Sequence, residues 1–260
     1  MNILIESAET EEALKVRKKL EILLEGSSIK ITTNYEDKNI ICIIVIGGDG
    51  QMLRSMHKLH NLNIPFFGIN AGSVGFLMNE QDTINLVLET DNLPKISLYP
   101  LHIIARDVDG LEHNKIAFND ATFIRSTSQA AKLEITVNNI LQMQELIADG
   151  VIISTPAGSS AYNFSAGGRI IPLETKLMCV TPICPFRPRR WQGAMIPDSS
   201  SIKIRSLENK KRPVNIIADF LDVPNILSVE ITQHKEIKTD ILFASYETLD
   251  TKMIKEQFII

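Results

Sequence analysis

The stretch ICIIVIGGDG, residues 41–50, limits what this chain can fold into more than any other. Six apolar residues from Ile41 to Ile46 run unbroken into Gly47, Gly48, Asp49 and Gly50, and a helix-like QMLRSMHKLH follows. An uninterrupted apolar run ended by glycines reads as a strand buried on both faces, the habit of a parallel sheet covered by helices. In such sheets the crevice beyond the carboxyl end of a strand is the usual ligand site, and Asp49 falls there. Glycines let the backbone approach a ligand closely, and the opening amides of the next helix favour anionic oxygen. The same letters also fit a tight turn with a helix cap. No G-x-G-x-x-G is present here and no Lys-Ser/Thr follows the glycines, so any phosphate is held in another way.

Around this stretch the pattern alternates. Residues 2–6 are strand-like, 11–24 carry apolar residues at helical spacing, 31–34 suggest a short strand, and 51–60 a helix. PFFGIN (65–70) repeats strand then glycine, and a further helix is expected over 81–89. This βαβα order predicts a doubly wound α/β domain over residues 1–94. Beyond Pro94 the runs 96–107, 114–125, 131–137 and 140–147 read as strands, with Asn138-Asn139 as a tight hairpin. A β-rich, sandwich-like domain is therefore expected over 95–238. The closing segment 239–260 ends in helix-like TLDTKMIKEQF, and periodicity alone does not say what it packs on.

Composition adds exclusions. A net charge of −4 gives no global field for nucleic acid or anionic membrane, and no apolar run reaches membrane-helix length. The basic run Arg187, Arg189, Arg190 with Trp191 is isolated in an acidic protein and reads as a solvated loop before a nucleic-acid grip. Cys42, Cys179 and Cys184 form no pairing pattern, and with no leader segment the expectation is a reduced, cytoplasmic protein.

A second cluster, DGVIISTPAGSSAYNFSAGG (149–168), is dense in small hydroxyls and glycines and has no Lys or Glu between Val151 and Gly168. It suits hydrogen bonding to a ribose, an amide or phosphates, where a Ser/Gly-rich surface loop is the plain alternative. With no His or Cys it makes no zinc-type ligand set. Asn119-Asp120, after KIAF, fits either a turn cap or the two hydroxyls of a ribose.

Taken together and in this order, Gly47-Gly48-Asp49-Gly50, GINAGSVGFL (68–77), Asn119-Asp120 and the 149–168 cluster resemble the NAD kinase family. The resemblance runs from the 41–46 strand to the end and is weakest in the first forty residues and after Pro182. It implies transfer of the γ-phosphoryl group of ATP, in some bacterial relatives also polyphosphate, to the 2′-hydroxyl of the adenosine ribose of NAD, giving NADP. It also implies an α/β domain followed by a β-rich domain, with the carboxy-terminus returning to the first, Mg2+ or another divalent cation accompanying ATP, and a homodimer or homotetramer. By the family pattern Asp49 is the general base, and Gly47, Gly48 and Gly50 meet the triphosphate. Asn119 and Asp120 engage a ribose of NAD, while Phe76, Ser160, Ala161, Tyr162 and Ser165 line the nucleotide. Asp149 lies towards the nicotinamide, and Arg54, one turn beyond Asp49, either reaches phosphate or stays solvated.

The chain departs from that pattern in several places. The usual Asn-Glu is Asn119-Asp120, Ala157-Gly158 and Ser159-Ser160 carry one hydroxyl fewer, and Arg169 follows Gly167-Gly168 where proline is common. PFRPRRWQGAMIPD replaces the usual run after Thr181-Pro182, and the late Asp-Gly is Asp219-Phe220. Two other readings stand beside the first: a lipid or sphingoid kinase sharing the glycine-aspartate turn, and a non-catalytic dinucleotide-binding protein.

Overall fold

The computed structural model describes residues 1–72 and 75–258. It divides into two compact units, Met1–Leu98 together with Ile237–Ile260, and Tyr99–Glu236.

In the first unit β1 (Asn2–Ser7) leads into α1 (Glu11–Leu24), which Thr10 caps by accepting the amide of Ala13. Then follow β2 (Lys30–Ile31), β3 (Ile40–Gly47), α2 (Asp49–Leu59), β4 (Phe66–Asn70) and β5 (Lys95–Leu98). A strand from the far end of the chain, β18 (Thr239–Leu242), completes one sheet of order β2-β1-β3-β4-β18-β5. All of its pairings are parallel except β18 with β5.

Strand alternation sends opposite residues of β3 to opposite faces. Cys42, Ile44 and Ile46 share a core with Ala13, Val16 and Leu20 of α1. On the other face Val45 pairs with Gly68 of β4, and a Cβ at Gly68 would lie 2.7 Å from Met52 Cε of α2. Gly68 thus gives α2 room to sit close on the sheet. The chain's last described element, α4 (Tyr246–Phe258), follows β18.

The second unit contains β6 (Leu101–Asp107), β7 (Glu112–Ala117), β8 (Asp120–Arg125), β9 (Ala131–Val137), β10 (Ile140–Ala148) and β11 (Gly150–Ser154). It continues with α3 (Tyr162–Ser165), β12 (Leu177–Ile183), β13 (Ala194–Pro197), β14 (Ile202–Leu207), β15 (Val214–Ala218), β16 (Leu221–Val223) and β17 (Ile226–Gln233). Two six-stranded antiparallel sheets result, ordered β10-β9-β14-β17-β6-β7 and β13-β12-β11-β8-β15-β16. Their facing side chains, Ile103, Leu133 and Ile204 from one and Phe123, Val151 and Ile216 from the other, form a single core. This is the sandwich expected of the β-rich part.

Some elements differ from the sequence reading. Residues 81–89 form 3-10 turns within Gln81–Asn92, kinked at Glu89, in place of an α-helix. The 31–34 strand shrinks to Lys30–Ile31. The 96–107 run breaks at Tyr99-Pro100, since proline has no amide for a ladder, and its first part is β5 of the first sheet. The 114–125 run breaks at Phe118-Asn119, whose amides are taken by Asp219. Ser73 and Val74 of the 68–77 motif, and Ile259 and Ile260, lie outside the described residues. Among the described residues no helix is long and apolar enough to cross a membrane.

Candidate active site

In the first unit, Asp49 is the opening residue of α2, with Gly48 as N-cap, directly past the end of β3. Its Oδ2 accepts the amide of Phe76 at 2.8 Å and its Oδ1 the amide of Leu77 at 2.9 Å. Burial pushes its carboxyl above the usual carboxylate range, while the two amides and the charge of Lys252 pull the other way. Two hydrogen bonds occupy half of the roughly four acceptor positions of a carboxylate, so the group is fixed in orientation and still able to accept.

The glycines around Asp49 serve its placement. Gly47 ends β3 opposite Asn70, and its carbonyl accepts the amide of Ala71 at 2.7 Å. Gly48 starts the helix, its carbonyl taking the amides of Gln51 and Met52, and Gly50 is exposed in the first turn. A helix start leaves its first amides without partners inside the helix, a cradle for phosphate oxygen. Arg54 is exposed one turn along and donates to Gln51 Oε1 at 3.3 Å.

In the second unit the two sequence motifs meet through backbone. Thr155 donates its amide to Asn119 O at 2.9 Å and its hydroxyl to Phe118 O at 2.6 Å. A Cβ at Gly158 would sit 2.7 Å from Asn119 Cα, so only glycine allows the 157–160 turn to lie this close. Asp120 is 8% exposed and accepts Thr122 Oγ1 at 3.0 Å. Burial, with the charge of Asp219 added, raises its carboxyl to about 6 against the pull of Thr122. Asn119 Oδ1 is buried without a hydrogen-bond partner, the kind of orphaned acceptor a ligand hydroxyl satisfies.

The run 150–159 is buried throughout, so it is no surface loop. Ser160 and Ala161 are half-buried, Tyr162 is 43% exposed at the start of α3, and Ser165 is exposed at its end. Asp149 pairs with Arg125, Nε to Oδ1 at 2.6 Å.

Three residues that brace the candidate site were given no role by the sequence reading. Asp219, at φ +54 in the two-residue turn between β15 and β16, accepts the amides of Phe118, Asn119 and Asp120 at 2.7, 2.9 and 3.1 Å. Asn163, fully buried, donates to Ser159 O and Arg169 O and accepts Thr181 Oγ1 at 2.7 Å, holding the 159–171 loop. Gly168 is needed against it, since a Cβ there would lie 2.6 Å from Asn163 Cγ. Lys252 is the third. Of these only Asp219, a carboxylate in a two-residue turn between strand-like runs, left a readable signal. The Arg187–Trp191 segment takes a mixed form: Arg187 and Arg189 lie over the Phe186 ring, and Trp191 packs on the sandwich core.

Among the described residues no three His, Cys, Asp or Glu side chains gather to hold a metal ion. A Mg2+ ion held chiefly through substrate phosphates, its usual habit, does not call for such a cluster.

A carboxylate at a helix start in an α/β unit and a hydroxyl- and carboxamide-lined loop cluster in a β-sandwich unit define a nucleotide-handling architecture. Comparison with known proteins makes it specific. The model of the ATP-NAD kinase N-terminal domain matches residues 4–88, beginning ahead of the motifs quoted above, and that of the C-terminal domain matches residues 119–224. The chain is 48% identical over 229 residues to an NAD kinase of Rickettsia bellii, covering 88% of this chain and 90% of the relative. It is 50% identical over 216 residues to one of Rickettsia felis, covering 83% and 85%. The structure of yeast NADH kinase complexed with NADH overlays with a TM-score of 0.86 at 18% identity, covering 100% of this chain and 89% of the other. That of an NAD kinase from Archaeoglobus fulgidus in complex with ATP gives 0.78 at 20% identity, covering 97% and 98%. These two likenesses speak for the fold alone. The chain belongs to the NAD kinase family.

Proposed function

We propose that the chain transfers the γ-phosphoryl group of ATP to the 2′-hydroxyl of the adenosine ribose of NAD, with Asp49 as general base. The identity to proteins named NAD kinase supports the substrates. The observation that carries the mechanism is the Asp49 carboxylate, oriented by two amides at the start of α2 and made more basic by burial.

A ribose hydroxyl is a poor nucleophile at neutral pH. As its oxygen bonds to the γ-phosphorus, Asp49 takes the hydroxyl proton on a lone pair left open by Phe76 and Leu77. The bond between the γ-phosphorus and the bridging oxygen breaks, and ADP leaves with that electron pair. The upward push that burial gives its carboxyl makes Asp49 a stronger base than a solvated carboxylate. The opening amides of α2, around Gly48 and Gly50, offset phosphate charge, with Arg54 within one turn as a further cation. A divalent cation, when bound with ATP, shares the triphosphate charge.

On the dinucleotide, the unpartnered Oδ1 of Asn119 and the carboxylate of Asp120 take ribose hydroxyls. Tyr162 lies against a flat ring, with Phe76, Ser160, Ala161 and Ser165 as further lining and Asp149 towards the nicotinamide. The same reading makes the protein a cytoplasmic homodimer or homotetramer.

The test uses purified protein with NAD, Mg2+ and either ATP or inorganic polyphosphate, scoring NADP with an NADP-specific dehydrogenase. Asp49→Asn should lower kcat by about 10²-fold or more. Unchanged kcat in the variant removes Asp49 as base, and no NADP from either donor leaves a binding protein as the better reading.

A further inference from the structure

The segment that orients Asp49 is itself tied down by the end of the chain. Lys252, on α4, donates from Nζ to Gly75 O at 3.1 Å and Met78 O at 2.7 Å, and pairs with Glu80 Oε1 at 3.0 Å. An ammonium has three donors and all three are used. The two carbonyls flank Phe76 and Leu77, the residues whose amides grip Asp49. Asn79 anchors the same segment differently. It donates to Gly68 O at 3.1 Å and Leu242 O at 3.0 Å, and it accepts the amide of Ala244 at 2.8 Å. Asn79 therefore fixes the far end of the segment, whereas the stretch that meets Asp49 is spanned by Lys252.

We propose that Lys252 is a positioning residue for phosphoryl transfer, holding residues 75–78 so that the amides of Phe76 and Leu77 present Asp49 to the substrate hydroxyl. A contact that served packing alone would be made more cheaply by an apolar side chain at this place. The Lys252 side chain is only 18% exposed, so its ammonium carries a desolvation cost that the two carbonyls and Glu80 offset. The inference rests on Asp49 being the base.

The charge has a second consequence. Lys252 is the charged group whose field draws the Asp49 carboxyl down, while Arg54 on Asp49's own helix is turned to Gln51 and Glu80 is engaged by Lys252 itself. Removing the ammonium leaves burial less opposed, so Asp49 holds its proton to higher pH and the acid limb of the rate profile moves up.

The test compares full-length wild type, Lys252→Met, Lys252→Arg and Asp49→Asn by amide hydrogen exchange at Phe76 and Leu77 and by the pH profile of kcat/KM for NADP formation. Lys252→Met should lose at least about tenfold of the protection at both amides. It should also lower kcat by roughly 10- to 100-fold, with KM for NAD held, and shift the acid limb upward. Lys252→Arg should restore most of each. If Lys252→Met does not fold, Lys252→Gln carries the same comparison against Lys252→Arg. Wild-type protection together with a wild-type acid limb in the methionine or glutamine variant overturns the inference. Full activity in Asp49→Asn instead removes the base reading, and the exchange result still reports whether the tie exists.

Discussion

Under the proposed function, Asp120 couples stability to recognition. Its carboxyl, raised to about 6 from an ordinary 3.8, favours the folded state while protonated. That contribution is fully present below about pH 3.8 and is lost as pH rises through about 6. At pH 7 the ionised, buried group therefore costs the fold up to about 3 kcal/mol. Asp120→Asn retains an oxygen for Thr122 and removes the charge, so it should melt higher than wild type at pH 7. The gap should close as pH falls towards 4, and the NAD-dependent rate should fall at the same time. Thermal melts across pH 4–7 check this, and parallel curves for the two proteins refute it. A site carboxylate that destabilises its own fold is what a binding role leads one to expect.

At the scale of elements, the hairpin of β15 and β16 works as a clamp. Asp219 in its turn collects three consecutive amides, so the backbone of 118–120 is set by a carboxylate a hundred residues later in the chain. Asp219→Ala leaves those amides to compete for other partners. It should destabilise the protein by on the order of 2–4 kcal/mol and raise KM for NAD more than it lowers kcat. Chemical denaturation beside steady-state kinetics distinguishes this from a simple fold defect, in which KM would stay put. The same element shows where sequence reading reaches its limit. Helix 11–24 and the strands around 41–46 and 131–137 were legible because periodicity and burial agree there. Asn138-Asn139 was legible because both residues adopt positive φ, 50° and 62°, as a tight hairpin demands. The break at Phe118-Asn119 and the 3-10 turns at 81–92 were not, since a distant carboxylate and a kink override local propensity. Within the site, glycines and hydroxyls announced themselves by composition. Asn163 and Lys252 look like ordinary surface residues until the fold buries them.

For the whole molecule, chain order and spatial order part company. The β-sandwich unit is one continuous segment, Tyr99–Glu236, whereas the α/β unit is assembled from both ends of the chain. β18 lies between β4 and β5, and it brings buried Ile241, Leu242 and Phe243 together with the backbone partners of Asn79. At roughly 2 kcal/mol for each of the three side chains, their loss is comparable with the whole stability of a typical domain. A fragment spanning 99–236 should therefore fold alone with a cooperative melt and a β-type circular dichroism spectrum. A fragment ending at Leu98 should not fold, because its sheet lacks an internal strand and β5 has lost the neighbour that joins it to the rest. Joining residues 237–260 to 1–98 through a flexible linker should restore the cooperative transition, and with it the protection of the Phe76 and Leu77 amides that hold Asp49. If 1–98 folds as well without the tail as with it, the carboxy-terminal strand and helix are accessories to a self-sufficient unit. Recovery only with the tail would make the end of the chain part of the framework on which the candidate base is mounted.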